Sequence, residues 1–255
     1  MDWIEQGRRA GWQNGRKLVD AVLSVVVAPS CAACDELLEH PTQGPVCGTC
    51  WRSILPLTPP LCDRCGDPLP TWRSISIPLA LCPRCRRTQR LVDRSRAIGA
   101  YDGALRAIIH ALKYEGRRSL ARSLGSLMRD RGADMLDGVT CAIPVPLHPS
   151  RRRERGFNQA ADLADHLGVP VIAALGRARA TATQTGLPAA QRHRNMRDAF
   201  VLTRAGQTLA NATVLLVDDV STTGATLEAC ARVLKQAGVT EVRALTAARV
   251  VSSPR

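Results

Sequence analysis

Apolar residues fall along this chain in two rhythms. Two stretches are nearly continuous, VTCAIPVPL (139–147) and NATVLLVDD (211–219), and predict strands buried on both faces. VTEVRALTAARVV (239–251) predicts a third strand. Between them, GFNQAADLADHLG (156–168) and TGATLEACARVLKQAG (223–238) carry apolar residues at helical spacing, and each stops at a glycine. Upstream, YDGALRAIIHALKYEGRRSLARSLGSLMRD (101–130) predicts two helices broken near Gly116. Strand, helix, strand at this spacing predicts a parallel sheet with crossover helices. LVDAVLSVVVA (18–28) predicts a packed helix ending near Pro29. It is interrupted by Asp20, lacks a small-residue cleavage site, and is shorter than the roughly 18 to 20 residues that cross a bilayer, so no membrane span and a cytoplasmic location are expected.

The stretch 31–90 follows neither rhythm. It holds eight of the chain's 10 cysteines as four C-x2-C pairs, Cys31/Cys34, Cys47/Cys50, Cys62/Cys65 and Cys82/Cys85. Each pair offers two thiolates to one metal, and eight make two closed four-thiolate sites of the structural zinc type. The spacers of 12 and 16 residues suit zinc ribbons. A disulfide scaffold needs an exported chain, and redox C-x2-C motifs need a strand and helix context that this proline-rich stretch lacks. Four pairs can share two metals in three ways, and neighbours in sequence are the favoured arrangement. Metal binding would supply on the order of 10 kcal/mol of folding free energy per site. The other two cysteines read as inert core thiols: Cys230 shares a helical face with Leu227 and Leu234, and Cys141 lies in an apolar run.

Composition sharpens this picture in two ways. The 255 residues are 45% hydrophobic but only 3% aromatic, so the core must be aliphatic. The net charge of +13 is uneven, +3 over residues 1–90 and +10 over 91–255, and lysine occurs only at Lys17, Lys113 and Lys235. Arginine grips phosphate with two prongs, so an anionic partner, nucleotide-like or nucleic acid, is expected beside the plainer reading of a solubilising surface.

Against that basic background, VLLVDDVSTTGAT (214–226) places Asp218 and Asp219 side by side at the end of a strand. A strand that opens through a polar turn into a helix puts the turn at the carboxyl edge of the sheet, where ligands of α/β folds bind. The amides at the helix start attract phosphate. Gly224 permits close approach, and Ser221, Thr222, Thr223 and Thr226 add hydroxyls. The acids can take hydrogen bonds from a diol and help hold Mg2+ through water. Phosphate at one end and a diol nearby describe a ribose 5-phosphate. A phospho-acceptor receiver domain would need a later aspartate, and none follows Asp219. A helix cap alone accounts for one hydroxyl residue, not four with an acid pair.

VLLVDDVSTTGAT resembles the phosphoribosyl pyrophosphate motif of type I phosphoribosyltransferases. With the eight cysteines, ALKYEGRRSLA (111–121), IPVPLHPSRRRERGFNQA (143–160) and TQTGLPAAQRHRNMRDAF (183–200), the chain resembles the ComF family of competence-associated double-zinc-ribbon proteins. The resemblance spans most of residues 31–250. It implies an α/β fold, a type I phosphoribosyltransferase-like parallel sheet flanked by helices, over 91–255. That domain would follow a double zinc ribbon (31–90) and an N-terminal helix (1–30). It implies that Asp218 and Asp219 meet the ribose hydroxyls. Ser221, Thr222, Thr223, Gly224, Ala225 and Thr226 would hold the 5-phosphate. Arg155, Gly156 and Asn158 would face the pyrophosphate, where RRRER concentrates positive charge. Arg192 and Asn195, with Gln184 nearby, fall in the stretch matching a mobile lid, and Lys113 lies in the family's LKY element. Phosphoribosyl pyrophosphate with Mg2+ and two structural Zn2+ are the ligands implied.

Transfer of the phosphoribosyl group would require positioning and charge stabilisation, with no covalent nucleophile. No stretch identifies a base, and residues 91–138 with the zinc module stand where other branches build their acceptor hood. A second function class stays open: a non-catalytic protein handling single-stranded DNA within DNA-uptake machinery, its phosphoribosyl site only sensing a ligand. The basic half suits that role. The 2 Tyr, 2 Phe and four Trp, the last all within the first 72 residues, offer few stacking platforms. A plain zinc-ribbon adaptor leaves residues 214–226 unexplained.

Overall fold

The structure is a computed structural model that describes residues 19–23, 26–69, 80–177 and 199–251. Arg192, Asn195 and Gln184 lie outside the described residues. Along the chain the elements are α1 (Gly48–Arg52), α2 (Pro83–Arg87), β1 (Arg94–Ala97), α3 (Gly103–Tyr114), α4 (Leu120–Arg131), α5 (Ala133–Leu136) and β2 (Cys141–Pro144). Then follow α6 (Pro149–Arg155), α7 (Gln159–Ala164), β3 (Leu175–Arg177), β4 (Phe200–Leu202), β5 (Thr213–Ser221), α8 (Ala225–Gln236) and β6 (Glu241–Arg249). They divide between two compact units, one running to Ile54 and including Asp102–Leu120, the other comprising Leu55–Tyr101 and the chain from Ala121 onward.

In the first unit, α3 buries Leu105, Ile108, Ile109, Ala111 and Leu112 along one stripe, and the Asp102 carboxylate caps it by accepting the Gly103 N–H at 2.8 Å. Asp20, which breaks the apolar run at 18–28, is buried and accepts the Thr42 N–H at 2.8 Å. That acid therefore ties the N-terminal helix to the chain beside the first cysteine pairs.

The second unit is built on a four-stranded sheet of order β1-β6-β5-β2, with every neighbouring pair parallel. The strands expected at 139–147, 211–219 and 239–251 are its β2, β5 and β6. Val214 and Leu216 of β5, Cys141 and Ile143 of β2, and Val242 and Ala244 of β6 pack with Leu227, Cys230 and Leu234 of α8. Cys141 and Cys230 are wholly buried, and burial pushes both thiols up from their ordinary pKa. Two elements give no strand period in the sequence: the edge strand β1, which reads RSRA, and the antiparallel pair β3-β4, whose LGR and FVL are too short to show one and flank residues 178–199. PSRRRER forms helix α6, because His148 accepts the Ser150 N–H on Nδ1 and Pro149 pre-sets the first turn.

The two halves of the cysteine module repeat one hydrogen-bond plan. Cys31 N–H bonds to Glu36 O as Cys62 N–H bonds to Asp67 O, and Ala32 N–H to Pro45 O as Asp63 N–H to Ala80 O. Asp35 and Gly66 occupy the same left-handed turn position, at φ of 60° and 72°. Cys47 and Cys82 each stand at the N-cap of a short helix, α1 or α2. The first half falls in the first compact unit and the second in the other.

Candidate functional site

Strand β5 delivers the acid pair to the carboxyl edge of the sheet. Asp218 is half-buried and Asp219 is buried, and the Asp219 N–H donates to Asp218 Oδ1 at 2.9 Å. The strand ends at Ser221, whose carbonyl accepts the Val250 N–H at 2.9 Å and whose Oγ is buried without a hydrogen-bond partner. Thr222 and Thr223 then come to the surface. Gly224 sits at φ 76° as the N-cap of α8, a left-handed conformation that costs glycine little. Thr223 Oγ1 accepts the Ala225 N–H at 3.3 Å. The N–H groups of Thr222, Thr223, Gly224 and Thr226 have no protein acceptor among the described residues. The turn is thus open, and its free amides stand at the N-terminus of a 12-residue helix.

Because β2 pairs with β5, with Pro144 level with Val217, the loop after β2 lies next to this turn. It continues through α6 to Gly156, which ends that helix, and Asn158, which begins α7. Asn158 accepts the Ala160 N–H on Oδ1 and donates Nδ2 to Val145 O, both at 3.1 Å, so its amide holds the loop against β2. A cleft of about 520 Å3 opens here, walled by Leu147, Arg152, Arg153, Gly156, Asn158 and Arg177. Among the described residues its lining contains no carboxylate. Arg155 is half-buried at the C-terminal end of α6. Lys113 lies on α3, in the first unit.

Each cysteine quartet gathers as neighbours in sequence. The sulfurs of Cys31, Cys34, Cys47 and Cys50 lie within 4.8 Å of one another, as do those of Cys62, Cys65, Cys82 and Cys85. Cys34 and Cys47 are 3.9 Å apart and Cys65 and Cys82 3.6 Å, close to the edge of about 3.8 Å that tetrahedral Zn–S bonds impose. Backbone N–H groups support the sulfurs: Cys47 donates to Cys31 Sγ and Cys82 to Cys62 Sγ, both at 3.3 Å. A hydrogen bond from Cys65, aided by those amides, lowers Cys62 to about 4, and Cys62 with burial pushes Cys65 upward. Four such thiols in one small shell suit a dication that takes all of them as thiolates.

Comparison with known proteins agrees with both parts. Residues 153–254 match the phosphoribosyl transferase domain and residues 22–86 the double zinc ribbon domain. Competence protein F of Haemophilus influenzae is 31% identical over 220 residues, covering 82% of this chain and 93% of that protein. The chain belongs to the ComF family. DNA utilization protein YhgH of Salmonella typhimurium is 32% identical over 215 residues, 78% of this chain and 87% of that one. Competence protein ComFC of Bacillus subtilis is 26% identical over 200 residues, 76% and 79% of the two chains.

In this ComF chain, three arginines near the site escaped sequence reasoning. Arg177, at the end of β3, stacks over Phe200 at 5.2 Å and lines the cleft. Arg84, between Cys82 and Cys85, donates Nη2 to the carbonyl of Thr223 at 2.6 Å. Arg90 pairs with Glu228 in the first turn of α8, at 3.3 Å. No local pattern distinguishes them from other arginines of so basic a chain. Only the returning sheet brings them there.

Proposed function

We propose that the turn 221–226 holds the 5-phosphate of phosphoribosyl pyrophosphate, with Asp218 and Asp219 accepting from the ribose diol. The open row of unbonded amides beside the acid pair carries this reading. Arg152, Arg153 and Arg155, near the pyrophosphate end, offset its negative charge, while Asn158 keeps their loop against the sheet. Mg2+ would supply further neutralisation of the diphosphate. If the group is transferred, this chain's part is to hold the sugar phosphate at both ends and stabilise charge as the diphosphate departs.

The relatives are named for competence and DNA utilization, so we assign this chain to the same process, the handling of incoming DNA. The exposed Arg151, Arg152 and Arg153 favour a second reading, in which the site senses a ligand while the basic surface carries single-stranded DNA. Calorimetry with phosphoribosyl pyrophosphate and Mg2+, on wild type and the Asp218→Asn/Asp219→Asn protein, tests the site. Equal heats from both would overturn the placement. A screen for pyrophosphate release with candidate bases separates enzyme from binder.

A further inference from the structure

The second cysteine quartet belongs to the same compact unit as the phosphate turn. We propose that Arg84 is a positioning residue for that turn and that metal in the Cys62/Cys65/Cys82/Cys85 quartet gates ligand affinity through it. The affinity part rests on the phosphoribosyl reading above.

The Arg84 bond fixes a peptide plane. Its guanidinium binds the carbonyl of Thr223, and in a trans peptide that carbonyl points opposite to the next N–H, which is Gly224's. Holding the carbonyl toward the ribbon therefore aims the Gly224 amide toward the open side, where a phosphate would sit. Little else fixes this plane from behind. Beside the Arg84–Thr223 bond, a gap of about 20 Å3, room for a water, is lined by Arg64 and Arg90 on one side and Ser221 and Gly224 on the other. Ser221 Oγ and Arg90 Nε face this region without hydrogen-bond partners. Released by Arg84, the turn has space to rotate.

The base of the clamp is fixed to the sheet. Arg249, 3% exposed and level with Ser221 across the β5-β6 pair, donates Nε to Asp67 of the ribbon. Arg96 donates Nη1 to Asp63 O at 3.0 Å and Cys62 O at 3.3 Å, and Ser95 donates its N–H to Arg64 O at 2.8 Å. Gly66 lies so near β1 that a Cβ there would stand 2.7 Å from Ser95 O. Arg84 itself rides on α2, between two metal ligands. With metal present, α2 is tied through Cys82 and Cys85 to the Cys62–Asp67 knuckle, which the sheet holds. Without metal, the sulfur anchors are lost and the guanidinium loses its aim.

The test uses the full zinc-loaded chain and the Arg84→Ala and Arg84→Lys proteins. Metal analysis checks that each variant keeps the zinc content of wild type. Arg84→Ala should then lower the backbone order parameters of Thr222–Ala225, read by 15N relaxation, and weaken binding of phosphoribosyl pyrophosphate with Mg2+ about tenfold, the order expected for losing one charge-assisted hydrogen bond. Arg84→Lys, which keeps a charged donor, should recover most of both effects. By reciprocity, the same ligand should raise the wild type's affinity for one of its two zinc ions, measured by equilibrium competition with a chelator. Unchanged order parameters in Arg84→Ala overturn the positioning role, and ligand-independent zinc affinity overturns the gate. Absence of binding heat in wild type would sink the phosphoribosyl reading instead, and the relaxation comparison, which needs no ligand, still decides the clamp.

Discussion

The backbone N–H of Asp219 is bonded to the carboxylate of Asp218, so the two acids are set by one local geometry. One oxygen of Asp218 is engaged by this bond, and Asp219 is drawn inward to 8% exposure. Asp218→Asn/Asp219→Asn should keep a cooperative melt and lose about 100-fold in affinity for phosphoribosyl pyrophosphate with Mg2+, since each acid would supply a charged acceptor to the diol. Calorimetry at matched zinc content measures it.

Gly224 has room for a methyl group, its nearest foreign atom being Arg90 Nη1 at 3.6 Å, but not the backbone freedom that a side chain requires at φ 76°. Gly224→Ala should cost about 1 kcal/mol of stability and weaken phosphate binding more than that, by tilting the first amides of α8. Urea unfolding beside ligand titration separates the two effects.

Metal analysis should find two zinc ions per chain. Cys34→Ser and Cys65→Ser should each retain one. On the clamp described for Arg84, only Cys65→Ser should also lose affinity for the phosphoribosyl ligand.

Glu241 receives two bonds from Arg243, at 2.8 and 3.1 Å, and these hold its carboxyl below the usual range. A depressed carboxyl stabilises the fold above its unfolded pKa of about 4.3 and loses that contribution as pH falls through the folded value. The Glu241 side chain is 33% exposed, so solvent limits the effect to a few tenths of a kcal/mol, about the value for a surface pair. Glu241→Gln should flatten the melting temperature slightly between about pH 5 and 3, and a pH series of thermal melts reads it.

If Arg151, Arg152 and Arg153 meet DNA phosphates, affinity for a single-stranded oligonucleotide should fall with salt, by a slope of about 0.7 per contact in log–log form. Replacing all three with alanine should flatten that slope by about two. An unchanged slope places the contacts elsewhere.

Much of this was legible along the chain because the signals are local. The buried strands β2 and β5 are apolar on both faces, α8 shows its stripe of Leu227, Cys230 and Leu234, and the cysteine pairs carry their own spacing. The acid pair and hydroxyl turn announced themselves by contrast with a basic chain. What escaped is held from a distance. β1 has the sequence RSRA and is a strand because β6 offers it a ladder, not because its side chains demand one. Arg84 looks like any arginine until a fold brings it, 139 positions away in sequence, to the carbonyl of Thr223. Asp20 read as a flaw in an apolar helix and is instead the acceptor for Thr42.

The bond from the Ser95 N–H to Arg64 does a further job. It spends a β1 donor that would otherwise face outward from the border of the sheet, and the ribbon lies where a foreign strand would attach. A chain stripped of its second metal would therefore be exposed to edge-to-edge polymerisation. Aggregation, rather than simple unfolding, is the fate this architecture guards against.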